Sequence, residues 1–453
     1  MVLNRGDAQR DEQHTIDHAT RQGVSRIAVD SGHASVDMRG GLDPSRERPR
    51  PRLVVIGNGM AGMRTVEELL TLAPERYDIT VLGAEPYGNY NRILLSPVLA
   101  GEKRFDDITL NTPEWYADNG IVLRAGDPAI EIDRERQVVR ARSGAEFGYD
   151  RLLLATGSNP VVLPVPGSTL DGVVSFRNFA DVETMIAASR SQRHAVVIGG
   201  GLLGLEAANG LLSQGMSVTV VHHVDTLMER QLDKTASMLL RNELEQKGMR
   251  FVLNARTTQI VGEGHVTAVR FEDGREIAAG LVVMTVGVRP NIELARQAGL
   301  QCDRGIVVDD TLQSSDPSVY AVGECVQHRN ATFGLVAPIW DQARVCGAHL
   351  AGADQLRYEQ KTTATRLKVT GVSLFSAGEF NGGVDTEDLV LRDLRRGVYK
   401  RLVLRRGRMV GAVLFGDVED GAWYFDLIRS QTDITPLRSF LLFGQALCDA
   451  KAA

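Results

Sequence analysis

The chain has few cysteines and no long apolar run. Its four cysteines lie far apart, with no CxxC pair: Cys302, Cys325, Cys346 and Cys448. Such spacing does not fit a zinc site, an iron-sulfur cluster or a disulfide framework, so we expect buried thiols and no metal site. No run reaches the roughly 18 apolar residues of a membrane span, and the polar N-terminus lacks the apolar core of a secretory signal. We therefore expect a cytoplasmic protein without a membrane partner.

An excess of charge of one sign is also missing. The formal net charge of −6 comes from 51 basic and 57 acidic side chains among 453 residues, which does not suggest a nucleic-acid partner. Residues 1–50 contain no Phe, Trp or Tyr and end in a Pro- and Arg-rich segment, so we expect a disordered leader there. The remaining length predicts two or three domains.

A short apolar strand, "LVVIG", begins at Leu53 and is followed by a glycine motif and a helical pattern. The motif consists of Gly57, Asn58, Gly59, Met60, Ala61 and Gly62. In a dinucleotide-binding fingerprint the first glycine allows the tight turn, the second lets the backbone approach a diphosphate, and the third packs helix on strand. Glu85, at the end of the next strand, is placed to accept hydrogen bonds from ribose hydroxyls. These features together predict a dinucleotide site.

The same order of strand, glycines and helix returns about 140 residues later. The second motif consists of Gly199, Gly200, Gly201, Leu202, Leu203 and Gly204. Two such units predict that the chain binds two dinucleotides, as in enzymes in which a nicotinamide nucleotide reduces a flavin. The strand after the second motif ends at His222-His223 instead of an acid, so His222 either faces a phosphate or caps the strand. The residues favour NADH only slightly over NADPH.

From about residue 356 the pattern changes to alternating strands, with a predicted hairpin turn at Arg406-Gly407 and two helical segments, 420–431 and 437–447. Basic side chains concentrate in these strands and turns: Arg392, Arg395, Arg396, Lys400, Arg401, Arg405, Arg406 and Arg408. Such a cluster either steers an acidic electron-transfer partner or is a solvated hairpin.

Three further segments carry a family resemblance: "LLLATGSNP" (152–160), "VVMTVGVRPNIELA" (282–295) and "VYAVGECV" (319–326). With the two glycine motifs, they resemble the two-dinucleotide-binding-domain flavoproteins of the pyridine nucleotide-disulfide oxidoreductase class. The resemblance implies FAD and NAD(P)H as cofactors. It places Ala155, Thr156, Gly157, Gly323 and Glu324 at the FAD, and Gly287 and Val288 at the nicotinamide nucleotide.

The resemblance also suggests roles for three single residues. Glu206 would orient the nicotinamide ring, unless it is a solvent-facing helix residue. Arg92 would be a cation near the flavin or its diphosphate, unless it is a solvent-facing loop residue. Trp340, in a helix expected to begin at about Pro338, either stacks near the flavin or fills a domain interface.

The implied fold is α/β, with two Rossmann-like, three-layer ββα domains and the NAD(P)H domain inserted in the FAD domain. We expect the FAD domain at 51–165 and 290–355, the NAD(P)H domain at 166–289, and a small α+β interface domain at 356–453. More narrowly, "YNRILLSPVLAGEK", "LMERQLDKTA" and "GLVAPIWDQA" resemble the N-terminal part of assimilatory NAD(P)H-nitrite reductase large subunits.

Two departures from the family pattern reduce the number of expected electron acceptors. Residues 85–105 contain no cysteine, which argues against reduction of a disulfide by a thiol pair beside the flavin. Ser96-Pro97 stands where ferredoxin reductases often have Ser-Lys, which makes a ferredoxin partner less favoured. The electrons should therefore pass to a separate redox protein.

Because the cluster and siroheme cysteines of nitrite reductases are missing, we expect that the chain cannot reduce nitrite by itself. The expected acceptor is a siroheme, molybdenum or iron-sulfur protein, and a homodimer is possible on this interpretation. The alternatives are a stand-alone NAD(P)H oxidase, a rubredoxin- or ferredoxin-type reductase, and a non-enzymatic nucleotide-sensing flavoprotein.

Overall fold

The fold was obtained as a computed structural model. It describes residues 50–353, 355–361, 364–369 and 371–452, without the side chains of 365–369 and 452. Apart from its last residue, the expected leader (1–50) lies outside the described residues.

The first part of the chain forms a parallel sheet next to a small antiparallel one. Its elements are β1 (Arg52–Ile56), α1 (Met60–Leu72), β2 (Asp78–Gly83), α2 (Leu95–Leu99), α3 (Pro113–Asp118), β3 (Val122–Ala125), β4 (Ala129–Asp133), β5 (Val138–Ala141), β6 (Glu146–Gly148), β7 (Arg151–Leu154) and β8 (Ser158–Pro160). Strand β1 is a continuous apolar run because both faces of its sheet are covered, and Leu53 to Ile56 are all buried. Strands β4, β5 and β6 form the three-stranded antiparallel layer.

The second part repeats this arrangement. Its elements are β9 (Val173–Ser175), α4 (Phe179–Ser189), β10 (His194–Ile198), α5 (Leu202–Ser213), β11 (Ser217–Val221), α6 (Lys234–Gln246), β12 (Arg250–Val252), β13 (Thr257–Glu263), β14 (His265–Phe271), β15 (Glu276–Ala278), β16 (Leu281–Met284) and β17 (Val288–Pro290). The parallel sheet has the order β12-β11-β10-β16-β9, and β13-β14-β15 is the antiparallel layer.

The chain then returns to the first sheet. The next elements are α7 (Glu293–Gln297), β18 (Ile306–Val308), β19 (Val319–Ala321), β20 (Val326–His328), β21 (Ala331–Thr332) and α8 (Val336–Leu350). Strand β19 pairs in parallel with β7, so the first sheet has the order β19-β7-β1-β2-β3. The second sheet is therefore nested between two strands of the first, as the resemblance implied. Helix α8 begins at Val336, two residues before the expected start, and packs against α1.

The last part is a five-stranded antiparallel sheet with helices. Its elements are β22 (Ala364–Val369), β23 (Val372–Gly378), β24 (Glu387–Asp393), β25 (Val398–Arg405), β26 (Arg408–Phe415), α9 (Gly421–Ser430) and α10 (Gln445–Ala452). The predicted turn at Arg406-Gly407 is confirmed, with φ of +50° and +70°. The predicted helix 437–447 is wrong in large part, because Thr435–Leu437 and Leu441–Phe443 form separate 3-10 turns and the α-helix begins only at Gln445.

Four of the eight basic side chains of the cluster at residues 392–408 form ion pairs with acids: Arg396, Lys400, Arg401 and Arg405. Arg405 contacts Glu379 and Asp385, and the buried Lys400 contacts Asp417 and Asp420. Their positive charge is thus partly neutralised at short range, which favours the structural interpretation of the cluster over partner steering.

A polar contact joins this sheet to the nested domain. Asp233, which caps the N-terminus of α6, accepts hydrogen bonds from Tyr399 Oη (2.7 Å), Arg401 Nη1 (3.3 Å) and the Ala236 amide. Asp233 is only 8% exposed. Arg401 also pairs with Asp388, so the contact is a buried network that holds the five-stranded antiparallel sheet β22-β23-β26-β25-β24 against α6.

Candidate active site between two glycine loops

The first glycine loop is built by close approach of backbone segments. Gly57 has φ of +113°, and a Cβ built there would lie 2.2 Å from the Ala155 carbonyl oxygen. A Cβ on Gly62 would lie 2.8 Å from the Gly57 carbonyl oxygen. A Cβ on Gly59, in contrast, meets no other described atom within 4 Å apart from its chain neighbours. The loop is therefore closed toward the sheet and open at Gly59.

The open position fits a diphosphate. Gly59 is the N-cap of α1, and among the described residues no side chain caps this helix end. The amides of the first turn, which includes Met60 and Ala61, are thus available to an anion, and the helix dipole favours one there. Asn58 lies on the protein side, where its Oδ1 accepts a hydrogen bond of 2.7 Å from Tyr116 Oη.

Glu85 and Arg92, both expected at the FAD, lie in contact with each other. The Arg92 guanidinium pairs with Glu85 Oε1, and Tyr90 Oη donates a 2.7 Å hydrogen bond to Oε2. Arg92 Nη1 also donates to the Arg177 carbonyl oxygen at 3.2 Å. Both charged side chains are about a quarter exposed, so Arg92 is not a solvent-facing loop arginine.

Glu324 lies on a 3-10 turn (Gly323–Cys325) after β19. Its Oε2 accepts a 2.8 Å hydrogen bond from Ser158 Oγ and pairs with the Arg177 guanidinium. Sequence reasoning missed Arg177, because nothing in the segment after β9 distinguishes it from a surface arginine. Cys325 is fully buried, and burial raises the pKa of its thiol, so it is not poised as a nucleophile.

The two chain crossings between the domains are tied together. Strands β8 and β17 pair antiparallel, with Ser158 opposite Pro290 and Pro160 opposite Val288. Thr156 Oγ1 donates a 2.6 Å hydrogen bond to the Asn291 carbonyl oxygen, and the Asn291 amide donates to the Gly157 carbonyl oxygen at 2.9 Å. The Val161 amide donates in the same way to Gly287. The segments that the family resemblance assigned to the two cofactors therefore lie at opposite ends of this pair of strands.

The second glycine loop has the same geometry as the first. Gly199 has φ of +127°, and a Cβ there would lie 2.5 Å from the Thr285 carbonyl oxygen. Gly204 packs against Gly199, whereas a Cβ on Gly201 meets no other described atom within 4 Å, its chain neighbours aside. Leu203, in the first turn of α5, is 39% exposed. This loop also fits a dinucleotide diphosphate.

His222 lies beneath this loop and is only 5% exposed. Its Nδ1 accepts a 3.1 Å hydrogen bond from the Gly200 amide, and its Nε2 lies 3.2 Å from Glu229 Oε2. Burial lowers the pKa of His222. Both ring nitrogens contact protein groups, so neither faces outward to a phosphate in this structure.

Glu206 lies on α5 and faces the first domain. Its Oε2 accepts a 2.7 Å hydrogen bond from Ser96 Oγ on α2, and burial raises the pKa of the carboxyl. Gln214 Nε2 donates to the Leu99 carbonyl oxygen at 2.7 Å, which fixes α2 on α5 a few turns further along. Glu206 is thus not a solvent-facing glutamate; its contact with a nicotinamide stays a prediction.

Trp340, in the first turns of α8, is 37% exposed. This exposure does not fit a residue that fills a domain interface. Its proximity to a flavin stays a prediction. In the part of the chain that the structure describes, no three His, Cys, Asp or Glu side chains are grouped to hold a metal ion.

Two nested domains with twin glycine loops define an oxidoreductase that binds two dinucleotides. Residues 51–349 match the family described as pyridine nucleotide-disulphide oxidoreductase, and the chain belongs to this family. It is an FAD-dependent NAD(P)H oxidoreductase, as expected from the sequence. Residues 364–432 match the rubredoxin NAD+ reductase C-terminal domain.

Several characterised proteins are similar to the chain. It is 49% identical over 386 residues to the nitrite reductase [NAD(P)H] of Bacillus subtilis (strain 168), covering 85% of this chain and 48% of that protein. It is 43% identical to the assimilatory nitrate reductase electron transfer subunit of the same strain, covering 85% and 50%. The chain thus spans about half the length of these relatives.

Among solved structures, NADH:rubredoxin oxidoreductase from Clostridium acetobutylicum aligns with a TM-score of 0.74 at 25% identity, covering 87% of this chain and 99% of that one. The predicted fold class is confirmed. No described helix is both long and apolar enough to cross a membrane.

Proposed function

We propose that this chain takes a hydride from NADH or NADPH onto FAD and passes the electrons to a separate redox protein that serves nitrite or nitrate reduction. The observation that carries the proposal is the presence of two open glycine loops, at Gly59 and Gly201, in one nested fold. The names of the two Bacillus relatives, a nitrite reductase and a nitrate reductase electron transfer subunit, support the acceptor class.

The proposed domains follow the sheets. The FAD domain comprises 51–165 and 290–355, the NAD(P)H domain 166–289, and the interface domain 356–453; β19 returning to β7 supports this division. We assign the loop at Gly57–Gly62, with Glu85 and Glu324, to FAD. The loop at Gly199–Gly204, with Gly287 and Val288, is assigned to the nicotinamide nucleotide.

When bound, FAD supplies the hydride-accepting chemistry. The residues of this chain contribute binding and alignment. The amides at the start of α1 and α5 hold the two diphosphates, and Glu85 and Glu324 accept hydrogen bonds from hydroxyls. Glu206, fixed by Ser96, orients the carboxamide of the nicotinamide, which keeps the donor carbon facing the flavin.

The proposed acceptor is a siroheme, molybdenum or iron-sulfur protein. Residues 85–105 contain no cysteine, and the four cysteines of the chain are free and mostly buried, which supports direct transfer from the flavin. We further propose that the protein works in the cytoplasm. A homodimer is the proposed alternative to a monomer, and size-exclusion chromatography with light scattering will distinguish the two.

The test is an anaerobic titration of the purified yellow protein with NADH and then with NADPH. Bleaching of the flavin, followed by reoxidation with ferricyanide and little consumption of nitrite, is the expected result. Rapid NAD(P)H oxidation in air without a partner would show an oxidase instead. A colourless protein that does not respond to either nucleotide would favour the nucleotide-sensing alternative.

A second candidate is a rubredoxin-type reductase. The match of residues 364–432 to the rubredoxin NAD+ reductase C-terminal domain favours it. The two candidates differ in the acceptor alone. Steady-state reduction of purified rubredoxin, compared with that of a siroheme or molybdenum partner, decides between them.

A further inference from the structure

The internal repeat shows where the second nucleotide site lacks an acid. In the first domain the amide of the first loop glycine donates to the Leu82 carbonyl oxygen, and Glu85 follows three residues later. In the second domain the equivalent amide donates to the Val221 carbonyl oxygen, and the residue three positions later is Val224. The position that carries the ribose-binding acid in one domain is therefore apolar in the other.

The segment after β11, residues 224–232, folds back onto the second glycine loop. The Met228 amide donates a 3.0 Å hydrogen bond to the Gly200 carbonyl oxygen, and Met228 adopts φ of +52°. The Leu227 side chain lies so close that a Cβ on Gly200 would be 2.8 Å from its Cδ2. Residue 229 is thereby held next to the phosphate loop.

That residue is Glu229, and its carboxylate is aimed by His222. Because His222 Nδ1 accepts the Gly200 amide hydrogen, the ring proton is assigned to Nε2, which donates to Glu229 Oε2 at 3.2 Å. His222 is buried, whereas the side chain of Glu229 is 37% exposed. The carboxylate therefore has a fixed inner oxygen and access to solvent at the carboxyl end of β11, where the adenosine ribose binds in this type of fold.

We propose that Glu229 supplies the ribose-binding carboxylate of the nicotinamide site and makes the enzyme prefer NADH to NADPH. A carboxylate accepts hydrogen bonds from the 2′- and 3′-hydroxyls, and it repels a 2′-phosphate. His222 is a positioning residue that connects this carboxylate to the phosphate loop. The inference rests on the proposed hydride transfer from NAD(P)H and names the residue that selects the donor.

Other polar and charged side chains near residues 224–232 provide an alternative set of ligands and a control residue. Asp225 is half exposed and is engaged by Thr226 and Lys234. His223 and Arg230 are exposed on either side. A 2′-phosphate would bind to these two side chains. Asp225 is the only other acid of residues 224–232, which makes it the matched control.

The experiment compares Glu229→Gln with Asp225→Asn in the full-length flavoprotein. Rates of anaerobic flavin reduction are measured with NADH and with NADPH. We expect Glu229→Gln to lower the NADH/NADPH ratio of the second-order rate constants for flavin reduction by about tenfold or more, as for loss of a hydrogen bond to a charged group. Asp225→Asn should leave the ratio within about twofold, as for an exposed acid that binds no ligand. An unchanged ratio in Glu229→Gln, or an equal shift in Asp225→Asn, overturns the proposal.

A change in the donor instead of the protein gives an independent test. Wild-type enzyme should use 2′-deoxy-NADH less well than NADH, and Glu229→Gln should use the two about equally. His222→Asn should shift the preference in the same direction, and the double variant should shift it no further than Glu229→Gln alone. If wild-type enzyme treats both donors alike, Glu229 does not contact the 2′-hydroxyl. If no nucleotide bleaches the flavin at all, the proposed function fails, which is a different result.

Discussion

The half-buried carboxyl of Glu206 is subject to two opposing influences from its surroundings. Burial raises the pKa of its carboxyl above the ordinary 4.5, while the hydrogen bond from Ser96 opposes that rise. A protonated carboxyl is a poorer acceptor for a carboxamide N–H than a carboxylate. The protonation state of this one side chain should therefore appear in the rate at which the nicotinamide reduces the flavin.

We predict that the rate of anaerobic flavin reduction falls as pH drops through the raised pKa of Glu206. The Ser96→Ala variant removes the bond that favours the charged form, so the fall should move to higher pH. The Glu206→Gln variant should be slower by roughly tenfold and lack this pH dependence. Stopped-flow absorbance across a pH series measures all three.

Glu245→Gln is the control for this series, because Glu245 is a half-exposed helix residue that pairs with Arg241. It should retain the wild-type profile. The same pH profile in Glu206→Gln as in the wild type would show that Glu206 takes no part in reduction.

Two glycines of the first loop should fail in different ways when changed to alanine. Gly57→Ala places a Cβ 2.2 Å from a backbone oxygen at φ of +113°, so it should lower the free energy of unfolding by roughly 2 kcal/mol or more. Gly59→Ala adds its methyl group in open space at φ of −98°. It should keep the stability of the fold but weaken FAD binding by about tenfold, because the methyl group lies where the diphosphate approaches.

Urea unfolding and flavin fluorescence on reconstitution distinguish the two effects. Equal losses of stability in both variants would contradict the assigned roles. The functions of the glycines were predictable from sequence because each depends on local spacing. Arg177 and the Ser96–Glu206 pair were not, because their partners lie 147 and 110 residues away in sequence.

The N-terminus of helix α6 contributes to a contact between two parts of the fold. Asp233 caps it and also receives hydrogen bonds from Tyr399 and Arg401 of β25. We predict that Asp233→Ala lowers the free energy of unfolding by roughly 2–4 kcal/mol, through loss of the cap and of a buried charged hydrogen bond. Asp225→Ala, an exposed acid eight residues earlier, should cost less than about 1 kcal/mol.

Thermal unfolding at neutral pH measures both variants. If Asp233→Ala and Asp225→Ala lower the free energy of unfolding equally, the buried network does not hold the five-stranded antiparallel sheet in place. Sequence reasoning gave no sign of this contact, because the capping role of Asp233 and the pairing of β25 are separated by 166 residues.

Elements with strong local signals were predicted well. The strand after the second glycine motif was expected to end at His222-His223, and β11 ends at the preceding residue, Val221. The hairpin after β25 turns at the predicted pair. The helix expected over 437–447 was wrong because an apolar run does not distinguish 3-10 turns that pack against α9 from a continuous α-helix; Leu441 is fully buried there.

At the scale of the whole molecule, the family match begins at residue 51 and β1 at Arg52. We predict that removal of residues 1–49 leaves FAD content and the rate of reduction by NADH within about twofold of the full chain, because both glycine loops lie beyond it. Absorbance spectra and stopped-flow rates of the two proteins check this. A colourless shortened protein would assign the leader a role in cofactor retention.

The nested topology was predictable because two fingerprints and three crossing motifs occur in a fixed order along the chain. The sequence did not reveal which loop residue serves the second ribose. That depends on how residues 224–232 fold over Gly200, which is a tertiary contact without a local pattern.

Glu229 is distant from the glycine motif in sequence, although the two are close in space, and this has a practical consequence for engineering. Because the carboxylate sits on a short excursion between β11 and α6, residues 224–232 could be exchanged as a cassette while the diphosphate cradle keeps its sequence. A library confined to the exposed and half-exposed positions of that segment, with the buried Thr226, Leu227, Met228 and Leu232 unchanged, would sample donor preference while it preserves the packing on Gly200. The two-domain architecture also provides an internal control for folding, because the yellow colour of FAD bound to the first domain would show whether each variant had folded.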